Sequence, residues 1–91
     1  MGGTKVFVIV TYDINSKRVS KVMKICRKYL THVQRSVFEG MITDAKLNRL
    51  KNEVKNVIET DSDQIRIYKI ESLKFASKDE IGIVKNNTNI L

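Results

Sequence analysis

Five apolar residues follow one another at positions 6–10, and the next three positions are threonine, tyrosine and aspartate. β-Branched and aromatic side chains favour a strand, which we place at residues 5–11. Because the apolar side chains do not alternate with polar ones, we expect both faces of this strand to be covered. Asn15 or Ser16, just beyond it, can cap a following helix.

The first helix is predicted from a stripe of apolar residues at steps of three and four. The stripe comprises Val19, Val22, Met23, Cys26, Tyr29 and Leu30. Five basic residues fall on the opposite side of the helix: Lys17, Lys21, Lys24, Arg27 and Lys28. We therefore expect an amphipathic helix with a basic outer side.

The middle of the chain predicts a strand followed by a second helix. Residues 32–42 are rich in strand-forming side chains, and Gly40 indicates a bulge or bend in one strand. Thr43 can cap the helix, and Asp44 suits its first turn. The apolar side of this helix is formed by Leu47, Leu50, Val54, Val57 and Ile58.

After a turn at 60–63, residues 64–70 alternate between apolar and polar side chains, which predicts a strand with one wetter face. Its apolar set is Ile65, Ile67 and Ile70, against Arg66 and Lys69. A short last strand is predicted at 81–84 and a flexible tail at 85–91. The 91 residues thus predict one α+β domain with its core at about residues 5–84.

Composition supports a small folded domain, with 42% hydrophobic and 30% charged residues. A domain of this size buries only about 60–65% of its unfolded surface, so we expect it to pair with a second copy. The single cysteine, Cys26, cannot form an internal disulfide, which favours a reducing, cytoplasmic location. We expect no signal peptide and no membrane span, because no apolar run approaches about 20 residues.

The net charge of +7 is unevenly distributed. Residues 1–42 contain eight Lys/Arg against two Asp/Glu, a balance of +6, whereas residues 43–91 contain nine against eight, a balance of +1. A field of this kind attracts polyanions, and nucleic acid is the commonest one in the cytosol. The alternative is a basic side that serves solubility alone.

Asp13, at the end of the first strand, is the main candidate for chemistry. Mg²⁺ often takes one or two carboxylates together with water and substrate phosphate, and a symmetric dimer would supply a second Asp13. The alternative is a local role at the start of a turn or at a helix cap. One histidine and one cysteine cannot form a zinc site, and no glycine-rich phosphate loop follows the first strand.

Three segments resemble the CRISPR-associated protein 2 family. They are "VTYDI" at 10–14, Arg18 with Val19 at the start of the first helix, and the specific string "VQRSVFEG" at 33–40. The resemblance extends from residue 5 to about residue 84. It implies a ferredoxin-like βαββαβ fold in which 31–42 provide two strands, and an extra C-terminal strand, 81–84, that pairs with the partner protomer.

The resemblance also implies site residues. Asp13 matches an aspartate that binds one Mg²⁺ together with its symmetry mate near the dimer axis, and Tyr12 lies beside it. Ser36 and Phe38 match active-site residues of the second-strand motif, and Arg18 matches an arginine of the first helix. The nucleic-acid-binding set is then Arg18, Lys17, Lys21, Lys24, Arg27, Lys28 and Arg35.

The leading hypothesis is a CRISPR-associated, magnesium-dependent endonuclease that cuts RNA or DNA as a homodimer during spacer acquisition. The main alternative is a non-catalytic dimeric adaptor that binds prespacer DNA and bridges subunits of the CRISPR integrase. A more distant alternative is a toxin-type ribonuclease of similar fold.

Overall fold

Six elements follow one another in the part of the chain that the structure describes. The structure is a computed structural model, and it describes residues 5–70 and residue 81. The elements are β1 (Lys5–Asp13), α1 (Val19–Tyr29), β2 (Thr31–Gln34), β3 (Val37–Thr43), α2 (Asp44–Lys55) and β4 (Gln64–Ile70).

The four strands form one antiparallel sheet in the order β2-β3-β1-β4. β1 pairs with both β3 and β4, and β2 pairs with β3. Because α1 joins β1 to β2 and α2 joins β3 to β4, each helix connects two strands that are separated by a third. This is the predicted ferredoxin-like arrangement, and the fold prediction is confirmed.

One side of the sheet carries the core. Burial along β1 alternates, with Val6, Val8, Val10 and Tyr12 buried and the residues between them half-buried or exposed. Both helices pack on this side, with Val22, Cys26, Leu47, Leu50 and Val54 at the contact. The sequence predicts that both faces of the first strand are covered. Among the described residues the helices cover one face, and Phe7, Ile9 and Thr11 on the other face are half-buried. Burial also raises the pKa of the Cys26 thiol to about 11.

The opposite side of the sheet, which we call the open face, has no helix over it among the described residues. Met41 and Tyr68 are 46% and 50% exposed there. Ile70 also lies on this face, so its predicted grouping with Ile65 and Ile67 is wrong, because alternate side chains of a strand point to opposite sides. The open face consists of Lys5, Phe7, Ile9, Thr11, Asp13, Val37, Glu39, Met41, Thr43, Gln64, Arg66, Tyr68 and Ile70.

Residues 31–42 form a hairpin of two strands, as the family resemblance implies. The single bent strand predicted from the side-chain pattern is wrong. Arg35 and Ser36 make the turn between β2 and β3. The register shifts between His32 and Gln34, which places the irregularity in β2 and not at Gly40.

Gly40 is instead paired regularly in β3 and lies beside the end of α1. Its φ of +155° is rarely adopted by residues with a side chain, and a Cβ there would lie 3.4 Å from Leu30 Cδ2. Glycine thus allows the chain that leaves α1 to pack closely on β3.

The second helix begins as predicted. The side chain of Thr43 accepts a hydrogen bond from the Lys46 N–H at 3.2 Å, and Asp44 occupies the first turn. The helix ends at Lys55, so Val57 and Ile58 lie beyond it, although both still pack against the core.

The first helix begins later than its predicted caps. Asn15 Oδ1 accepts the Lys17 N–H at 2.9 Å and so stabilises the turn before the helix. The N-cap position is Arg18, which makes no side-chain capping bond.

The predicted last strand at 81–84 and the tail at 85–91 lie outside the described residues, apart from Ile81. Pairing of that strand with a partner protomer therefore stays a prediction. Within residues 5–70, neither helix is long and apolar enough to cross a membrane.

Candidate functional site

Asp13 is the last residue of β1, and its side chain is exposed. It pairs with Gln64, the first residue of β4, and it shares the open face with Thr11. Among the described residues, its carboxylate makes no hydrogen bond or ion pair. An exposed carboxylate without a protein partner keeps its oxygen atoms available to a ligand.

The β2–β3 turn lies at the same end of the sheet as Asp13. The N–H of Tyr12 donates to the carbonyl oxygen of Ser36 at 3.2 Å, which joins the end of β1 to this turn. Arg35, the other turn residue, is exposed. The structure thus brings Asp13, Ser36 and Arg35 to one end of the sheet, and their common role in a site stays a prediction.

Arg66 is a basic residue at this end that sequence analysis did not include in the site. It pairs with Thr11, and its side chain is exposed on the open face. The signal was available, because the two-residue period of 64–70 places Arg66 on the same face as Gln64, the partner of Asp13.

The side chain of Tyr12 points to the opposite side of the sheet from that of Asp13, and it is buried in the core. Its hydroxyl donates to the Arg35 carbonyl oxygen at 3.0 Å. Burial raises the pKa of Tyr12, and Cys26 adds to this, while Arg27 opposes it. Tyr12 therefore fastens the turn from the core side, and its side chain does not share the face of Asp13.

Phe38 is fully buried in the core. Its ring stacks on His32 with centroids 4.5 Å apart and packs against Tyr12 at 6.1 Å. His32 Nε2 also lies 3.1 Å from the Arg35 carbonyl oxygen. Phe38 therefore has a structural role in the core, and its contact with substrate stays a prediction.

Arg18 is engaged in an ion pair that the sequence did not reveal. Its Nε and Nη2 donate to Asp63 Oδ2 at 2.6 Å and to Oδ1 at 3.1 Å. Asp63 lies just before β4 and its side chain has no exposed surface, whereas that of Arg18 is 21% exposed. The predicted contact of Arg18 with nucleic acid stays a prediction, and most of the guanidinium already has a protein partner.

The pKa of the Asp63 carboxyl is held well below its usual range. The Arg18 guanidinium is the main cause, and the backbone N–H groups of Glu59 and Asn15 add to it, while burial opposes it. The same ion pair raises the pKa of Arg18. At neutral pH this contact therefore joins two full charges.

The basic side of α1 is present as predicted. Its residues are exposed, and no acidic residue occurs between Val19 and Tyr29. Lys28 differs from the others because its amine pairs with Glu53 of α2, which also accepts the hydroxyl of Tyr29. The basic residues of this side are Lys21, Lys24, Arg27 and Lys28, and Lys17 lies in the turn just before the helix.

Asp13 is the predicted metal ligand, and no larger donor group surrounds it in the described part of the chain. Residues 5–70 and residue 81 contain no group of three or more His, Cys, Asp or Glu side chains that could hold an ion. A single exposed carboxylate fits the habit of Mg²⁺, which keeps several waters and uses substrate phosphate as a ligand. A magnesium site shared between two Asp13 carboxylates therefore stays a prediction.

The fold and the site define a class of protein, namely small ferredoxin-like domains with an exposed aspartate at the end of the first strand. The sequence profile of the family described as CRISPR associated protein Cas2 matches residues 6–78. The chain belongs to this family.

Relatives match over nearly the whole chain. "CRISPR-associated endoribonuclease Cas2" of Thermotoga maritima is 40% identical over 93% of this chain and 98% of its own length. "CRISPR-associated endoribonuclease Cas2 3" of Thermodesulfovibrio yellowstonii is 46% identical, with 93% and 98% covered.

Solved structures agree with the sequence comparison. One described as "Crystal structure of cas2" has a TM-score of 0.81 and 32% identity, and covers 97% of this chain and 99% of its own. Cas2 of Streptococcus pyogenes has a TM-score of 0.69 at 32% identity, with 81% and 98% covered.

Proposed function

We propose that the protein is a CRISPR-associated, metal-dependent endonuclease that uses Asp13 as its metal ligand. The observation that carries the proposal is the exposed carboxylate of Asp13, which makes no hydrogen bond or ion pair among the described residues. The names of the relatives, which are endoribonucleases, support RNA as a substrate. DNA is a second substrate to test, and spacer acquisition is the proposed setting.

The proposed active form is a homodimer in which two open faces meet. The open face carries apolar side chains, among them Phe7, Met41 and Tyr68, and exposed surface of this kind favours association. Asp13 lies on the same face, at the end of its strand. A two-fold axis near that end would therefore bring two Asp13 carboxylates together. This supports a metal site to which each protomer contributes one carboxylate.

The residues that would hold Mg²⁺ are Asp13 of the two protomers. A bound Mg²⁺ supplies Lewis-acid stabilisation of the charge on the scissile phosphate. The amines of Lys17, Lys21 and Lys24 bind the nucleic-acid backbone through its phosphates. Ser36 lies in the turn beside the end of β1, and its hydroxyl is a donor for a phosphate oxygen.

Cleavage of labelled RNA and DNA, single- and double-stranded, with and without Mg²⁺, tests the proposal. Wild type should cut only with the ion, and Asp13→Asn should not cut. Asp44→Asn is the matched control, because Asp44 is an exposed aspartate next to Thr43, which pairs with Lys5 at the other end of β1. Equal cutting by wild type and Asp13→Asn would rule out this site as the nuclease centre.

A dimeric adaptor is the second candidate function. The limited donor set favours it, because one chain offers one carboxylate at the candidate site and the described residues hold no larger metal-binding group. In this case the protein binds prespacer DNA through the basic side of α1 and bridges subunits of the CRISPR integrase. Wild type that binds DNA and the integrase but cuts no substrate would establish the adaptor. No observation favours a toxin-type ribonuclease.

A further inference from the structure

The carboxylate of Asp63 accepts four N–H donors from three residues, two in the turn before α1 and one in the turn before β4. Oδ1 accepts the Asn15 N–H at 2.9 Å and Arg18 Nη2 at 3.1 Å. Oδ2 accepts Arg18 Nε at 2.6 Å and the Glu59 N–H at 2.9 Å. A carboxylate offers about four acceptor sites, so this group is fully used.

These bonds fix both chain segments that flank Asp13 in space. Asn15 follows Asp13 by two residues, and Gln64, the strand partner of Asp13, comes directly after Asp63. A bidentate arginine–carboxylate contact imposes orientation as well as attraction. Asp63 therefore ties the exit of β1 to the entrance of β4, the two strand ends between which Asp13 is placed.

The same bonds decide how Arg18 can contribute to a site. Two of its nitrogen atoms face Asp63, and Nη2 also lies 3.4 Å from Ser62 Oγ. Its positive charge is compensated by a carboxylate with no exposed surface. Lys17, its neighbour, contrasts with it, because the Lys17 side chain is exposed and makes no ion pair among the described residues.

We propose that Asp63 and Arg18 are positioning residues that hold the segment after Asp13, and that Arg18 acts on the site through Asp63 and not by contact with the nucleic-acid backbone. The part that concerns the site rests on the proposed function of Asp13. The hold on the segment itself is independent of that function.

Amide hydrogen exchange of Asp63→Asn tests the hold on the segment. The asparagine side chain has only one carbonyl oxygen. In either orientation its NH₂ group therefore replaces a carboxylate oxygen that accepted two N–H donors, and those two hydrogen bonds are lost. We expect the amide of Asn15 or Glu59 to exchange about tenfold faster, as for loss of a bond to a charged group. Val54→Ala, which removes core contacts of α2, is the control. When its exchange rates are corrected for its lower unfolding free energy, the amides of Asn15 and Glu59 should exchange as fast as in wild type. Unchanged exchange of both amides in Asp63→Asn would overturn the proposal.

Salt dependence of nucleic-acid binding separates the two roles of Arg18. For a duplex probe, each lost phosphate contact lowers the slope of log affinity against log salt by about 0.9. Lys17→Gln should show this loss, whereas Arg18→Gln should keep the wild-type slope. A reduced slope in Arg18→Gln equal to that of Lys17→Gln would contradict the proposal. This measurement also serves if Asp63→Asn does not fold.

Kinetics of the single variants and of the double variant complete the test. Arg18→Gln and Asp63→Asn should each lower kcat with little change in KM, and the double variant should be no slower than the slower single one. Additive losses would mean independent roles and overturn the pairing. If wild type cuts nothing, the proposed function fails, and the exchange and salt measurements still decide whether Asp63 and Arg18 hold the segment.

Discussion

At the scale of single residues, neighbours in the sequence have opposite environments. Asp13 is exposed, whereas Tyr12 is buried and bonded to the Arg35 carbonyl oxygen. Phe38 is likewise buried, whereas Ser36, two positions earlier in the turn, is half-buried. The motif residues therefore divide into those that can reach a ligand and those that hold the turn in place.

Phe38→Leu should destabilise the protein by about 0.5–3 kcal/mol, because it removes ring contacts with His32 and Tyr12 and leaves space in the core. The midpoint of urea unfolding measures this change. Tyr12→Phe is the matched control that keeps the ring and removes one hydrogen bond, at about 0.5–1.5 kcal/mol. A Phe38→Leu variant with wild-type stability and no cleavage would mean that Phe38 contacts substrate.

The ion pair of Asp63 predicts a loss of stability in acid. A carboxyl whose folded-state pKa is lowered stabilises the fold above its unfolded pKa, about 3.9, and this contribution is lost as pH falls through the folded-state pKa. The difference in unfolding free energy between wild type and Asp63→Asn should therefore be constant from pH 7 to 5 and shrink below about pH 4. Urea unfolding at each pH measures it.

Asp61→Asn is the control for this series, because Asp61 is an exposed aspartate of the same turn. This variant keeps the contact between Arg18 and Asp63, so it should cost much less stability than Asp63→Asn at pH 7. A difference between wild type and Asp63→Asn that does not vary with pH would argue against the charged contact.

At the scale of elements, the two helices present different charge to solvent. Within its helical residues α1 has four basic and no acidic residues, whereas α2 has four basic residues with Asp44 and Glu53. Both helices lie on the same side of the sheet. Variants of α1 and of α2 therefore test whether nucleic-acid binding depends on the position of the basic residues or only on the total charge.

Replacing Lys17, Lys21 and Lys24 together by alanine should reduce the slope of log affinity against log salt by about 2–3, since each phosphate contact contributes about 0.9. The slope is obtained from the affinity for duplex DNA at salt concentrations from about 50 to about 200 mM. The matched control replaces Lys46, Arg49 and Lys55 of α2 and removes the same charge. Equal slopes for the two variants would show that α1 is not the binding side.

At the scale of the whole molecule, the main question is what covers the open face. A chain of 91 residues has a limited core, and this face leaves Met41 and Tyr68 about half exposed. Two sheets that pack face to face bury such side chains between them at a spacing of about 10 Å.

We expect a dimer at micromolar concentration, measured by light scattering, and a monomer for Tyr68→Glu, because a buried unpaired charge opposes association. Circular dichroism should show that the variant remains folded. Asn48→Glu adds the same charge on the exposed side of α2 and should stay dimeric. A monomeric wild type would exclude the shared Asp13 site together with the dimer.

The sequence by itself determined most of the elements and the family. The apolar stripe of α1, the Thr43 cap and the strand ending near Asp13 depend on side chains close in sequence, whose spacing fixes local backbone geometry. The motif at 33–40 pointed to the family, and the basic side of α1 followed from helical periodicity alone.

Only the tertiary structure decided which of these residues meet. Asp63 and Arg18 are 45 positions apart, and no local period relates them, because the crossover through α2 brings β4 beside β1. The apolar run of β1 did not reveal which of its residues face the helices. In the structure Val6, Val8 and Val10 are buried beneath them, whereas Phe7 and Ile9 face away and have no helix over them among the described residues. Contacts between distant segments depend on chain topology, and topology follows from packing of the whole domain rather than from the pattern of any one element.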